Sequence, residues 1–231
     1  MRMKAIVLSS GGVDSTTCLA IAINDADGAD NVTSVCIDYG QRHRKEMESS
    51  RRVAEHYGVT WKSLDLSQIW NECGGCLLDG DSEVPEGTYE EQVKENGSVA
   101  TEIPFRNGVF LSVITAYAMS LYPGEDVAVY LGNHADDYEG NTYPDCSPEF
   151  TKAMKDAIRI GSRGRVRFRS PLVNSDKTEV VRLGIVLDVP YELTWSCYKG
   201  GDKACGKCAT CLDRLKAFRN NGTEDPIEYE E

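Results

Sequence analysis

Lys4-Ala5-Ile6-Val7-Leu8-Ser9-Ser10-Gly11-Gly12-Val13-Asp14-Ser15 is the stretch on which the reading of the fold turns. A short, uninterrupted apolar run bounded by turn residues reads as a strand buried on both faces, the setting of a parallel sheet. After Ser-Ser-Gly-Gly, residues 14–23 carry Leu19, Ala20 and Ile23 on one helical face. Between strand and helix, two glycines let the backbone approach a ligand and take up positive φ. Their N–H groups, the helix N-terminus and the serine hydroxyls together make a nest for an anion. Asp14 would repel a bare phosphate, but suits a site where Mg²⁺ bridges it to phosphate oxygens. The pattern is neither G-x-x-x-x-G-K-[ST] nor G-x-G-x-x-G. The bland alternative is a Gly-rich turn that only joins two elements.

Working outward, residues 32–38 form a second strand and 45–57 a helix stopped by Gly58. A third strand is expected at 60–66. A helix over 107–121 ends at Pro123-Gly124, and a fourth strand covers 126–132. The helix at 148–160 has Ser147 as N-cap and Pro148 at its first position. A fifth strand lies at 166–170, and the helix at 175–187 carries a capping-box pair, Asp176 and Glu179. Alternation of strand and helix predicts an α/β fold, a doubly wound parallel sheet with right-handed crossovers. The expected organisation is one main domain over 1–190, a cysteine-rich knuckle within 191–219 closing on a last helix at 212–219, and an acidic, frayed tail over 220–231. Residues 67–100, with Gly74, Gly75 and Gly80, are weakly periodic and read as a long surface excursion with one short helix near Glu90.

The chain has 231 residues, 25 Lys and Arg against 37 Asp and Glu, and a formal charge of −12. That balance argues against nucleic acid or another large polyanion as partner, while leaving a small anionic ligand open. No stretch approaches the roughly 20 apolar residues of a membrane span. Met1-Arg2-Met3-Lys4 is basic, but the run behind it is too short for a signal core of about 7–15 residues. A cytoplasmic protein is expected. The 9 cysteines, an odd number, do not suit a disulfide framework, and clustered cysteines in a reducing compartment read as metal ligands.

Cys197, Cys205, Cys208 and Cys211 have the spacing C-x₇-C-x₂-C-x₂-C, with Gly200, Gly201 and Gly206 to let the chain wrap an ion. Four thiolates suit one tetrahedral Zn²⁺ per chain with no open position, a structural site. Such a site contributes roughly 10–16 kcal/mol of apparent binding free energy to folding. A redox dithiol or an iron–sulfur cluster is the alternative. Lys199, Lys203 and Lys207 would offset thiolate charge. Cys73 and Cys76 read as free loop thiols, Cys18 and Cys36 as core.

The Ser10–Ser15 motif resembles that of the PP-loop ATP pyrophosphatases, of the adenine nucleotide α-hydrolase type, which cleave ATP to AMP and pyrophosphate and usually adenylate a substrate oxygen. Ser175–Gly184 resembles that group's later K-x-E-V helix, whose lysine contacts ATP phosphates. With the cysteine knuckle and four further stretches, 39–43, 103–107, 143–146 and 195–198, the chain resembles the 7-cyano-7-deazaguanine synthase family from residue 4 to 219. The resemblance implies a reaction using two ATP. The carboxylate of 7-carboxy-7-deazaguanine is adenylated, ammonia displaces AMP to give an amide, and a second adenylation leads to the nitrile. It also implies a homodimer. It assigns ATP binding to Ser9, Ser10, Gly11, Gly12, Val13, Asp14, Ser15, Thr16 and Thr17, Mg²⁺ to Asp14, and neutralisation of phosphate charge to Lys177 and Arg106. A solvated surface lysine is the default for Lys177 without it.

Candidate substrate contacts are Arg42, His43, Tyr143 and Asp145. Asp145 would accept from the amidine edge of a guanine-like base or close an Asx-turn beside Pro144. Tyr143 would stack on the flat base or sit as an ordinary buried tyrosine. Arg42 and His43 would reach the pocket or begin a surface helix. Asp136 and Asp137 assist a metal or belong to a solvated loop. No histidine is required as a base. Phe105 stands where many of the family have glycine, an expected reshaping of that loop. Three other readings remain open: a PP-loop tRNA-modifying enzyme, an amidotransferase of the NAD or GMP synthetase kind, and a non-enzymatic nucleotide-sensing module.

Overall fold

A computed structural model describes residues 3–78, 82–139 and 142–230; Gly80 and the ends Met1, Arg2 and Glu231 fall outside them. Five strands, β1 (Lys4–Leu8), β2 (Val32–Asp38), β3 (Thr60–Asp65), β4 (Val127–Tyr130) and β5 (Val166–Arg169), form one parallel sheet in the order β3-β2-β1-β4-β5. The chain runs outward from β1 to β3, then restarts at β4 on the other side. A crevice therefore opens at the carboxyl ends of β1 and β4, where the order reverses.

β1 shows why both faces are covered. Ala5 and Val7 pack into a core with Val13, Leu19, Val53, Val180, Val181 and Phe218, which belong to α1 (Val13–Asp25), α2 (Lys45–Tyr57), α6 (Lys177–Val186) and α7 (Ala209–Asn220). Ile6 and Leu8 enter the opposite core with Leu111, Ile114 and Ile158 from α4 (Arg106–Leu121) and α5 (Pro148–Gly161). The local stop and start signals hold. Gly58 closes α2 in the left-handed conformation at φ +66°. Ser147 caps α5 by accepting from Phe150 N, and Asp176 and Glu179 form a reciprocal box at α6.

Two expectations are corrected. Residues 67–100 are not a surface excursion. They contain the expected short helix, α3 (Tyr89–Asn96), capped by Thr88 and Glu91, but they also bury Trp70, Cys76, Leu77, Leu78, Val84 and Val99. Cys73 and Cys76 are free thiols as expected, but Cys76 is buried and its Sγ donates to Ala100 O at 3.2 Å. Nor is the tail frayed. Asp225 accepts from Arg214 Nε at 2.6 Å and Nη2 at 2.9 Å, both side chains being at most 1% exposed. Residues 228 and 230 bracket Ala204 with two backbone hydrogen bonds. α7 also begins earlier than expected, at Ala209, so that Cys211 lies within it.

Candidate active site

The phosphate loop is tightened from below by α2. Gly11 has φ +84°, and a Cβ there would lie 2.3 Å from Ser50 N and 2.5 Å from Glu46 O, so only glycine fits. Gly12 caps α1 without a side chain, leaving the helix N-terminus open. Ser10 and Ser15 hydroxyls meet at 3.1 Å, and Gly11 N donates to Ser15 Oγ. These polar groups edge a cavity of about 200 Å³ at the strand ends.

Asp14, on the first turn of α1, meets Lys177 at the start of α6: Nζ to Oδ2 is 2.6 Å. His134, which is buried, brings Nε2 to 3.2 Å from Lys177 Nζ, 3.6 Å from Asp14 Oδ1 and 3.3 Å from Asp137 Oδ1. Burial raises the Asp14 carboxyl, but Lys177 and His134 outweigh it and hold the group below its ordinary range. Asp14 Oδ1 is buried and accepts no hydrogen bond. This orphaned oxygen, on a residue that lines the cavity beside the loop, fits a divalent cation.

Across the cavity the character changes. Arg106 opens α4 and lies with its guanidinium 5.5 Å from the Tyr39 ring and 6.0 Å from the Phe110 ring. Tyr143 and Tyr198 line the same wall, braced by hydrogen bonds from Tyr143 to Thr101 and from Tyr198 to Tyr89. This half suits a flat, polar ring system next to an anion.

Behind it lies the knuckle. The Sγ atoms of Cys197, Cys205, Cys208 and Cys211 all fall within 4.8 Å of one another, fully buried, and could hold a metal ion. Backbone N–H groups of residues 205, 207 and 208 point at the sulfurs of Cys197 and Cys205 at 3.3–3.4 Å, the pattern that supports thiolates. Lys199 and Lys203 pair with Glu86 and Glu228, and Lys199 also interacts electrostatically with Cys205 and Cys208. Trp195 N donates to Gly11 O at 2.9 Å, which ties the knuckle's leading segment to the phosphate loop.

A family model described as "Queuosine biosynthesis protein QueC" matches residues 4–222. The chain belongs to the QueC family. It is 45% identical to the 7-cyano-7-deazaguanine synthase of Thermoplasma acidophilum, over 99% of this chain and 93% of that one. It is 40% identical to the enzyme of the same name from a Marinomonas species over the whole of both. Among solved structures, an NMN synthetase from Francisella tularensis superposes with a TM-score of 0.51 at 13% identity, over 96% of this chain and 79% of that one, a likeness of fold. Among the described residues, no helix is long and apolar enough to cross a membrane.

Within this QueC-family site, the residues singled out from the sequence divide. Ser9, Ser10, Gly12, Asp14, Ser15, Arg106 and Tyr143 line the cavity, and Lys177 joins it through Asp14. Val13, Thr16 and Thr17 are buried beneath the loop; Thr17 Oγ1 bonds Tyr191 OH at 2.8 Å and Thr16 Oγ1 bonds Gly12 O. Arg42 and His43 do not reach the cavity. Arg42 turns outward and holds the 67–100 segment through Ser82 O and Cys76 O. His43 packs on Gly200 of the knuckle.

Asp145 is not among the residues that line the cavity. It accepts from Asn107 N at 2.8 Å and so anchors the start of α4. Asp136 likewise receives Lys177 N at 2.8 Å and is half-buried. Phe105 keeps a glycine-like φ of +53° but throws its ring outward, 61% exposed and edge-on to Phe150, so the cavity is not reshaped. The sequence reading gave no role to His134, Glu46, Tyr39 or Tyr198, although Tyr39 and Tyr198 lie within the stretches 39–43 and 195–198 that it singled out. Glu46 stands three residues past the first of these, in the first turn of α2, which no local pattern marks.

Proposed function

We propose that the protein is a 7-cyano-7-deazaguanine synthase, an ATP-dependent ligase that converts 7-carboxy-7-deazaguanine and ammonia to 7-cyano-7-deazaguanine, with ATP going to AMP and pyrophosphate in each of two activations. The observation that carries this is one cavity joining a phosphate loop to an aromatic wall with a half-buried arginine, in a chain alike over its whole length to relatives of that name. The tRNA-modifying, amidotransferase and nucleotide-sensing readings are not favoured.

The geometry suggests how the chain's residues act. Pyrophosphate is held by the N–H groups of residues 11–15 at the positive end of α1. Lys177 stabilises charge that develops on it as it leaves. Asp14 and its free Oδ1 would hold Mg²⁺, which supplies neutralisation of the phosphate oxygens. Arg106 sits with Tyr39 and Phe110 on the same cavity as the phosphate loop and would neutralise phosphate charge there. Tyr143 and Tyr198 flank the flat base. The four cysteines would hold one structural Zn²⁺. A cytoplasmic homodimer is part of the reading, resting on family likeness alone.

The test is one reaction analysed by mass spectrometry: protein, MgATP, ammonium and 7-carboxy-7-deazaguanine. The expected result is the nitrile with two AMP per turnover. Absence of any AMP overturns the proposal.

A further inference from the structure

The first turn of α2 lies directly beneath the phosphate loop, so close that the Glu46 carbonyl fixes Gly11 as glycine. Its side chain rises from that turn into the cavity, between the loop and the aromatic wall. Three carboxyl groups among the described residues line this cavity: Asp14, Glu46 and Asp137. Asp14 is engaged by Lys177 and Asp137 by His134. Glu46 has no hydrogen-bond or ion-pair partner among the described residues. The charged and titratable groups that face it are Arg106 from α4, Tyr39 and Cys36 from β2 and its end, and Tyr198 from the knuckle.

The reaction requires an acceptor for protons in this space. When ammonia attacks the acyl adenylate, a C–N bond forms, the nitrogen becomes positively charged, and one proton must leave before the C–O bond to AMP breaks and the amide results. In the last step an N–H bond of the adenylated imidate breaks, its electron pair becomes the third C–N bond, and AMP departs with the C–O pair. Resting on the synthase reading, we propose that Glu46 is the general base that removes the proton from nitrogen in both steps. Burial pushes its carboxyl up, Arg106 draws it part of the way back, and it titrates at about 7. A base of that strength is matched to neutral solution, whereas the ion-paired Asp14 is held too acidic to serve.

The experiment compares wild type with Glu46→Gln, which keeps size and polarity. Acid-dependent ATP–pyrophosphate exchange reports carboxylate adenylation, which requires no proton removal from nitrogen. Nitrile formation at saturating ammonium, followed from pH 6 to 9, reports the later steps. The expected result for E46Q is exchange within about twofold of wild type, nitrile formation lower by about 10²–10⁴-fold, and loss of the acid limb that the wild type shows near neutrality after correction for free ammonia. E46D restores part of the rate and of the limb. The inference is overturned if E46Q keeps turnover and the limb, or if only KM for the acid rises, which marks a recognition role. Failure of the wild type itself to exchange pyrophosphate overturns the synthase reading instead.

Discussion

Lys177 Nζ lies 2.6 Å from Asp14 Oδ2 across 163 residues of sequence, and this pair joins the helix of the sheet's first crossover to α6, which follows the last strand. Lysine and aspartate are both mostly withdrawn from solvent, and the ammonium helps hold the Asp14 carboxyl below its ordinary range against burial.

Replacing Lys177 with Met therefore acts twice. The leaving pyrophosphate loses its cation, and kcat is expected to fall about 10²–10³-fold. The Asp14 carboxyl, no longer held down by the ammonium, titrates higher, so the acid limb of residual MgATP-dependent exchange moves to higher pH. K177R recovers part of the rate. An unchanged pH profile in K177M would contradict the coupling.

Gly11→Ala brings a methyl group against Ser50 N and Glu46 O at a residue with φ +84°. The left-handed conformation costs roughly 1–2 kcal/mol, and forcing the added carbon into packed backbone about 1–3 kcal/mol more. Denaturant melts are expected to show a loss in that range together with weakened ATP binding. G12A, whose new carbon would find its nearest neighbours at 3.5 Å, is expected to be milder.

Arg214 and Asp225 form a fully buried, bidentate pair. Removing one partner strands the other in the interior, so R214A is expected to destabilise by about 3–5 kcal/mol. R214K does not rescue, because an ammonium cannot reproduce the fork that also reaches Thr194 Oγ1 and Tyr191 O. E224Q, at an exposed neighbouring position, is the control, with a change below about 0.5 kcal/mol. Equal melting temperatures for R214A and wild type would refute this account of the tail.

The Glu46 carboxyl, raised from 4.5 to about 7 by burial, makes the folded protein retain a proton that the unfolded chain has released. Its contribution is fully favourable below about pH 4.5 and declines as pH rises to 7, by up to about 3 kcal/mol. E46Q removes this burden. Its stability relative to wild type is expected to be greater at pH 8 than at pH 5, read from melts at both.

What could be read from the sequence follows from locality. The strands, the Gly58 stop, the Ser147 cap and the Asp176 box each depend on residues within a few positions of one another, and each is found, β4 being shorter than the expected 126–132. The 67–100 segment escaped because Trp70, Leu77, Leu78, Val84 and Val99 are buried one at a time against distant partners, which leaves no period to detect. The tail looked loose because its acidic residues were counted without Arg214, whose position in the core no local pattern reveals. In the site, the loop and its lysine were legible from motif and spacing, whereas Arg42, His43 and Asp145 were judged on type alone. Each serves a neighbouring segment of chain. His134 and Glu46 stand out only once folding has removed water and solvated charge from around them.

The hydrogen bond from Trp195 N to Gly11 O means that the nucleotide cradle and the cysteine knuckle are not independent parts. A metal ion that never touches ATP would still govern how well ATP is held. Chelation would then resemble competitive inhibition in an assay, and a preparation with half its metal would behave as a mixture of tight and weak binders. Counting metal per chain before measuring affinity would separate that heterogeneity from any true property of the catalytic residues.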